Sequence, residues 1–143
     1  MPITMVRSFY VLLFCLAAPG IAAAEDPLPG PIPAEVVRVI DGDTVAVRAR
    51  IWPGHEVRVS VRLAGVDAPE LRGPDCEAER AGAVAARDFV AALVGEEVSL
   101  FDVDTGTYAG RVIARIVTHE GLDVSQSLMQ AGYAVRYGEA DWC

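Results

Sequence analysis

The chain contains no lysine. All twelve of its cations are arginines, set against 20 acidic residues, and the formal charge is −8. That balance repels polyanions at long range and excludes broad electrostatic adhesion to nucleic acid or anionic membranes. Any phosphate recognition must therefore be local and built from guanidinium groups. Aromatic residues are scarce, at 7%, so the core has to be assembled from Ala, Val and Leu. No internal repeat is present, which excludes solenoids and propellers. A length of 143 residues leaves room for one domain and not comfortably for two. What is abundant is apolar, 52% against 22% charged, and that composition excludes collagen-like and disordered chains.

Long apolar runs are also absent. The one candidate, Phe9 to Ala18, is shorter than the ~20 residues a spanning helix needs, and Pro19-Gly20 interrupts it. With Arg7 before it and the small residues Ala22-Ala23-Ala24 after it, residues 1–24 read as a secretory signal peptide. Export to the periplasm or the medium, with no membrane attachment after cleavage, is the expectation. Cys15 leaves with the signal, so Cys76 and Cys143 remain, and an oxidising compartment favours pairing them. Loop-closure entropy puts such a bridge at roughly 4 kcal/mol. Two cysteines and two distant histidines, His55 and His119, have no zinc-ligand spacing.

Residues 25–34 hold four prolines and predict an extended linker without hydrogen-bonded structure. The folded domain is expected over 35–143. Val36–Ile40, Thr44–Ile51 and Val57–Leu63 are β-like runs, and the last two alternate with period two. Asp41-Gly42 is a tight-turn pair between the first two. Residues 76–94 switch to helical spacing, with Ala78, Ala81, Ala85, Phe89, Ala92 and Leu93 on the apolar face. Asp75 is the expected N-cap, and Gly95 the stop. Strands Val98–Val103 and Arg111–Val117 follow, then a helix from Asp123, with Gln126 at the capping-box position, to Gly132. The order βββ-α-ββ-α predicts a mainly β, α+β domain: a five-stranded barrel of OB type with two packed helices.

Four acidic residues fall where strands end: Asp41 and Asp43 after the first, Asp67 and Glu70 after the third. In a meander the third strand returns to the edge where the first one ends, so Asp43 and Asp67 can meet. Close carboxylates repel one another unless a cation lies between them, and an all-oxygen set suits a hard ion such as Ca²⁺. Arg62 lies just before the Asp67 loop and Arg111 opens the fifth strand. A guanidinium stays charged and fits two phosphate oxygens at once. Metal, carboxylate base and two arginines are what phosphodiester hydrolysis requires.

Val39-Ile40-Asp41-Gly42-Asp43-Thr44, Val61-Arg62-Leu63-Ala64-Gly65-Val66-Asp67-Ala68-Pro69-Glu70 and Gly110-Arg111 together closely resemble the staphylococcal nuclease (thermonuclease) family. The likeness runs through Asp123–Ala134 and covers about residues 35–137. It implies an OB barrel and a Ca²⁺-dependent endonuclease acting on DNA and RNA, single strands favoured, that cleaves P–O5′ and leaves 3′-phosphates. It further implies Asp43, Asp67 and the backbone carbonyl of Ala68 as metal ligands, with Asp41 steadying that loop. Glu70 would orient or activate water, and Arg62 and Arg111 would clamp the scissile phosphate. Tyr108 and Tyr137 are candidates for contact with the nucleotide.

Thr107-Tyr108-Ala109 departs from the family prototype, which carries an acidic, a basic and a tyrosine residue there. Tyr108, shifted by one place, is the expected substitute. The prototype's long C-terminal helix has no counterpart before Cys143, and the Cys76–Cys143 bridge is expected to take over its anchoring. A monomer without a stable protein partner is expected. The competing reading is a non-catalytic OB-fold module that binds nucleic acid, but such a module has no need of Glu70 beside two aspartates.

Overall fold

The computed structural model describes residues 26–143, so the expected signal peptide lies outside the described residues. The elements in chain order are β1 (Ile32–Asp41), β2 (Thr44–Trp52), β3 (His55–Leu63), β4 (Val66–Asp67), α1 (Glu77–Val94), β5 (Glu97–Thr105), β6 (Arg111–Thr118), α2 (Val124–Gln130) and β7 (Val135–Arg136). β1, β2, β3, β6 and β5 close a barrel in that order. Every pairing in it is antiparallel except β3 with β6. The expected five-stranded OB-type barrel with two helices is the observed fold. The two-residue strands β4 and β7, which pair with each other, were not expected from the sequence.

Alternation explains the barrel. On β2 and β3 the inward residues Val45, Val47, Val61 and Leu63 are fully buried, and Leu100, Ala114 and Ile116 meet them from β5 and β6. Parallel pairing of β3 with β6 sets Ser60 beside Arg111 and Arg62 beside Ile113. That register puts Arg62 and Arg111 at one end of the barrel.

The proline-rich stretch is hydrogen-bonded, contrary to the sequence expectation. Leu28 exchanges main-chain bonds of 2.9 and 2.8 Å with Val103, and Ile32, Pro33 and Ala34 pair with Leu100, Ser99 and Val98. Closure of the barrel supplies the reason: β5 needs a partner on its free edge, and β1 extends backwards to provide it. Proline is tolerated at such a strand start because its missing N–H can face away from the ladder.

The buried stripe of α1 also differs from expectation. Glu79, Ala83, Ala86, Val90 and Val94 face inward, whereas Ala78, Ala81 and Ala92 are exposed. Alanine occurs all round this helix, so its spacing marks no single face. The N-cap is Cys76, whose Sγ accepts from the Glu79 amide, and not Asp75. The expected bridge is present, joining Cys76 to Cys143 across a Cα separation of 6.0 Å. α2 begins as expected, with the Asp123 carboxylate accepting from the Gln126 amide at 3.0 Å.

Gly42 serves the fold through its lack of a side chain. Its φ is not positive, so the turn is not of the mirror-image type that glycine favours in hairpins. A methyl placed there would lie 2.6 Å from Cβ of Ala86 and 2.8 Å from Cβ of Ala68. The β1–β2 turn is thereby pressed between α1 and the loop after β4. Gly42→Ala should lower unfolding free energy by about 1–3 kcal/mol through overpacking. Urea denaturation measures this, and an unchanged midpoint would show that the contact is not needed.

Candidate active site

The turn after β1, the end of β3, β4 and the start of β6 bring the expected residues together. Asp43 is almost wholly buried, 5% exposed, although it carries a carboxylate. Three neighbours account for that. Its Oδ1 accepts from the Thr44 hydroxyl at 3.0 Å, its Oδ2 accepts from the Ala68 amide at 3.0 Å, and the same Oδ2 pairs with the Arg62 guanidinium. The other arm of Arg62 pairs with Asp67 Oδ1 and donates to the Val66 carbonyl at 3.2 Å. Asp67 Oδ2 accepts from the Gly138 amide at 2.8 Å. Asp43 and Asp67 thus converge on one guanidinium, as the strand geometry predicts.

The electrostatics follow from this packing. Burial works against the charge of Arg62, but Asp43, Asp67 and Asp41 outweigh it and raise the guanidinium pKa. Asp41 accepts from the Asp43 amide at 3.3 Å. Burial and then the Asp43 charge push its carboxyl up to about 6. The Glu70 carboxyl is also pushed up, by desolvation and the charges of Asp43 and Glu79, while Arg62 and Arg111 pull the other way.

Asp41, Asp43, Arg62, Glu70, Tyr108 and Arg111 line one groove of about 370 Å³. Asp67 opens instead into an adjoining hollow that Glu70 also lines, together with Glu79 and Trp142. Arg111 donates from Nη1 to the Tyr108 hydroxyl at 2.8 Å and lies 5.2 Å from the ring centroid. The Tyr137 ring lies 6.0 Å from the Arg62 guanidinium carbon and is largely exposed. Both tyrosines therefore stand beside an arginine of the site.

Two residues were missed by the sequence reading. Glu79 is buried and accepts from the amides of Glu70 at 3.2 Å and Asp75 at 2.6 Å, tying the Glu70 loop to the start of α1. Its signal was an acid three residues after the N-cap, the place from which such a side chain reaches back to free amides. Gly138, whose amide holds Asp67, carries no signal of its own, because a backbone donor is invisible in residue type.

Among the described residues no three His, Cys, Asp or Glu side chains converge to hold a metal ion by themselves. Arg62 stands between the two aspartates. Even so, the donor chemistry fits a hard divalent cation: oxygen ligands only, with three aspartates crowded around a single guanidinium and one of them driven toward neutrality. Arg62→Met would leave Asp43 and Asp67 facing each other without a counter-charge. Unfolding free energy without added divalent ions should fall by about 3 kcal/mol. Urea titration reads this, and wild-type stability would mean that the aspartates do not depend on Arg62.

Comparison with known proteins bears on the family of this fold. The model of the family described as staphylococcal nuclease homologue matches residues 60–141, more than half of the chain. Asp41 and Asp43 precede that span, and Asp43 joins it through Arg62 and the Ala68 amide. A relative, Protein ParB of Escherichia coli, is 34% identical over 113 residues, covering 78% of this chain and 56% of that protein. The chain thus spans a little over half the length of that relative. By the family match and the barrel that carries it, the chain belongs to the staphylococcal nuclease homologue family, whose members generally hydrolyse phosphodiester bonds.

Proposed function

We propose that this chain is an exported, Ca²⁺-dependent endonuclease of low sequence specificity. It hydrolyses phosphodiester bonds of DNA and RNA, prefers single strands and leaves 3′-phosphates. The observation that carries the reading is the convergence of Asp43 and Asp67 on Arg62, beside a groove that also holds Glu70 and Arg111. A module that only binds nucleic acid gains nothing from burying aspartates next to a raised-pKa glutamate.

In this reading Arg62 and Arg111 grip the equatorial oxygens of the scissile phosphate and stay charged while negative charge builds there. Glu70, at the rim of the groove, orients the attacking water and accepts its proton. The elevated pKa makes it a better base than an ordinary carboxylate once ionised. Asp43, Asp67 and the Ala68 carbonyl would hold Ca²⁺, and Asp41 would steady their loop. When bound, the ion polarises the phosphoryl group and offsets its charge. Tyr108 and Tyr137 offer faces on which any base can stack, consistent with weak sequence preference. Residues 1–24 direct export, the Cys76–Cys143 bridge suits an oxidising compartment, and the domain acts as a monomer.

Single-stranded DNA and RNA should be cut with Ca²⁺ present and left intact after chelation; cutting that ignores the chelator would overturn the mechanism. Glu70→Gln and Arg111→Ala should each lower kcat by roughly 10²–10⁴-fold. Near-wild-type turnover in either variant would remove that residue from its role.

A further inference from the structure

Six arginines have no carboxylate partner among the described residues, and four of them, Arg38, Arg58, Arg72 and Arg111, line two neighbouring grooves, whereas Arg50 and Arg136 lie outside both. Arg48, Arg62, Arg80, Arg87 and Arg115 are each paired with an acid. In a chain with a formal charge of −8, unpaired guanidiniums gathered on one face are a local feature that the average composition conceals.

Register explains the gathering. Arg38 faces Ala46 across β1 and β2, Ala46 faces Ser60 across β2 and β3, and Ser60 faces Arg111 across β3 and β6. Cross-strand partners project from the same face of a sheet, so these four residues form one row. A register shift between Val36 and Arg38 precedes the row, and such bulges re-aim the side chains that follow them. Along β3, Arg58, Ser60 and Arg62 alternate on that same face, and the Cα atoms of Arg58 and Arg62 are about 13 Å apart.

Arg38, Arg58 and Ser60 line a second groove, of about 240 Å³, over the middle of β1, β2 and β3. Arg38 and Ser60 also line the candidate active site. The two hollows therefore run into each other, with Arg62 and Arg111 in one and Arg58 in the other. Arg38 and Arg58 are both exposed, and no step of the proposed reaction uses them.

We propose that Arg38 and Arg58, with Ser60 between them, form a second phosphate subsite. It holds a nucleotide flanking the scissile bond of a single-stranded polynucleotide. This rests on the nuclease reading for where the cut is made, but not for what the groove binds. A strand lying along β3 would then meet guanidinium groups at both ends of its path. Short-range contacts of this kind replace the long-range attraction that an acidic protein lacks.

The test is anisotropy of a labelled single strand of about ten nucleotides, with Arg38→Gln/Arg58→Gln compared in a Glu70→Gln background so that the probe is not cut. The pair of substitutions should weaken binding roughly tenfold and reduce the salt slope by about 0.7 for each phosphate released. Competition by a dinucleotide, which fills only the central site, should lose at least fivefold less affinity than the long probe. Equal losses for both lengths, or an unchanged affinity and salt slope, would overturn the subsite. So would polyglutamate displacing the probe as well as an unlabelled strand of equal charge does, since the groove would then bind any polyanion. Absence of Ca²⁺-dependent cutting by the wild type would count against the nuclease reading alone, because the binding comparison is read without catalysis.

Discussion

One guanidinium shared by two carboxylates organises this molecule. Asp43, in the β1–β2 turn, and Asp67, in β4, lie 24 positions apart in the chain, and both close on Arg62. Taking such groups out of water is costly, and the cost is offset only where each oxygen and each N–H finds a partner. Here nearly every one does: a hydroxyl and an amide on Asp43, an amide on Asp67, a carbonyl on Arg62. The surplus falls on Asp41, whose carboxyl rises to about 6 beside Asp43. A site with more negative charge than one arginine can balance is already biased toward accepting a further cation.

The rest of the fold holds that cluster in place. Gly42 lets the β1–β2 turn press against Ala86 and Ala68. Glu79 reaches back from α1 to the amides of the Glu70 loop. β7 pairs with β4 and delivers Gly138 to Asp67, while the bridge from Cys76 to Cys143 fastens the segment beyond β7 to the start of α1. Separate parts of the chain thus constrain one cluster of carboxylates, an arrangement that costs ordering entropy unless the geometry itself is useful.

Much of this was legible in the residues, because period-two alternation and strand-end acids are local signals. The barrel strands, Gly95 as the helix stop, and Asp123 with Gln126 all followed from patterns that need no tertiary knowledge. The failures are physical too. The stretch from Leu28 to Ala34 reads as an unpaired linker until one knows that β5 has an open edge. The buried face of α1 is hidden by alanines on every side, and Glu79 looks like a solvated acid until the loop above it is placed. Arg38 carries no signal in the sequence, since only the cross-strand register puts it in one row with Ser60 and Arg111, and Ser60 lies two residues along β3 from Arg58.

The central claim is that Asp43 and Asp67 act as a single cation site. Calorimetric titration of Ca²⁺ into the wild type, Asp43→Asn and Asp67→Asn proteins tests it most directly, without reference to catalysis. The account predicts one ion bound by the wild type and binding lost or weakened by at least tenfold in each variant. Binding that survives either substitution unchanged, or a wild type that takes up no ion, would contradict it.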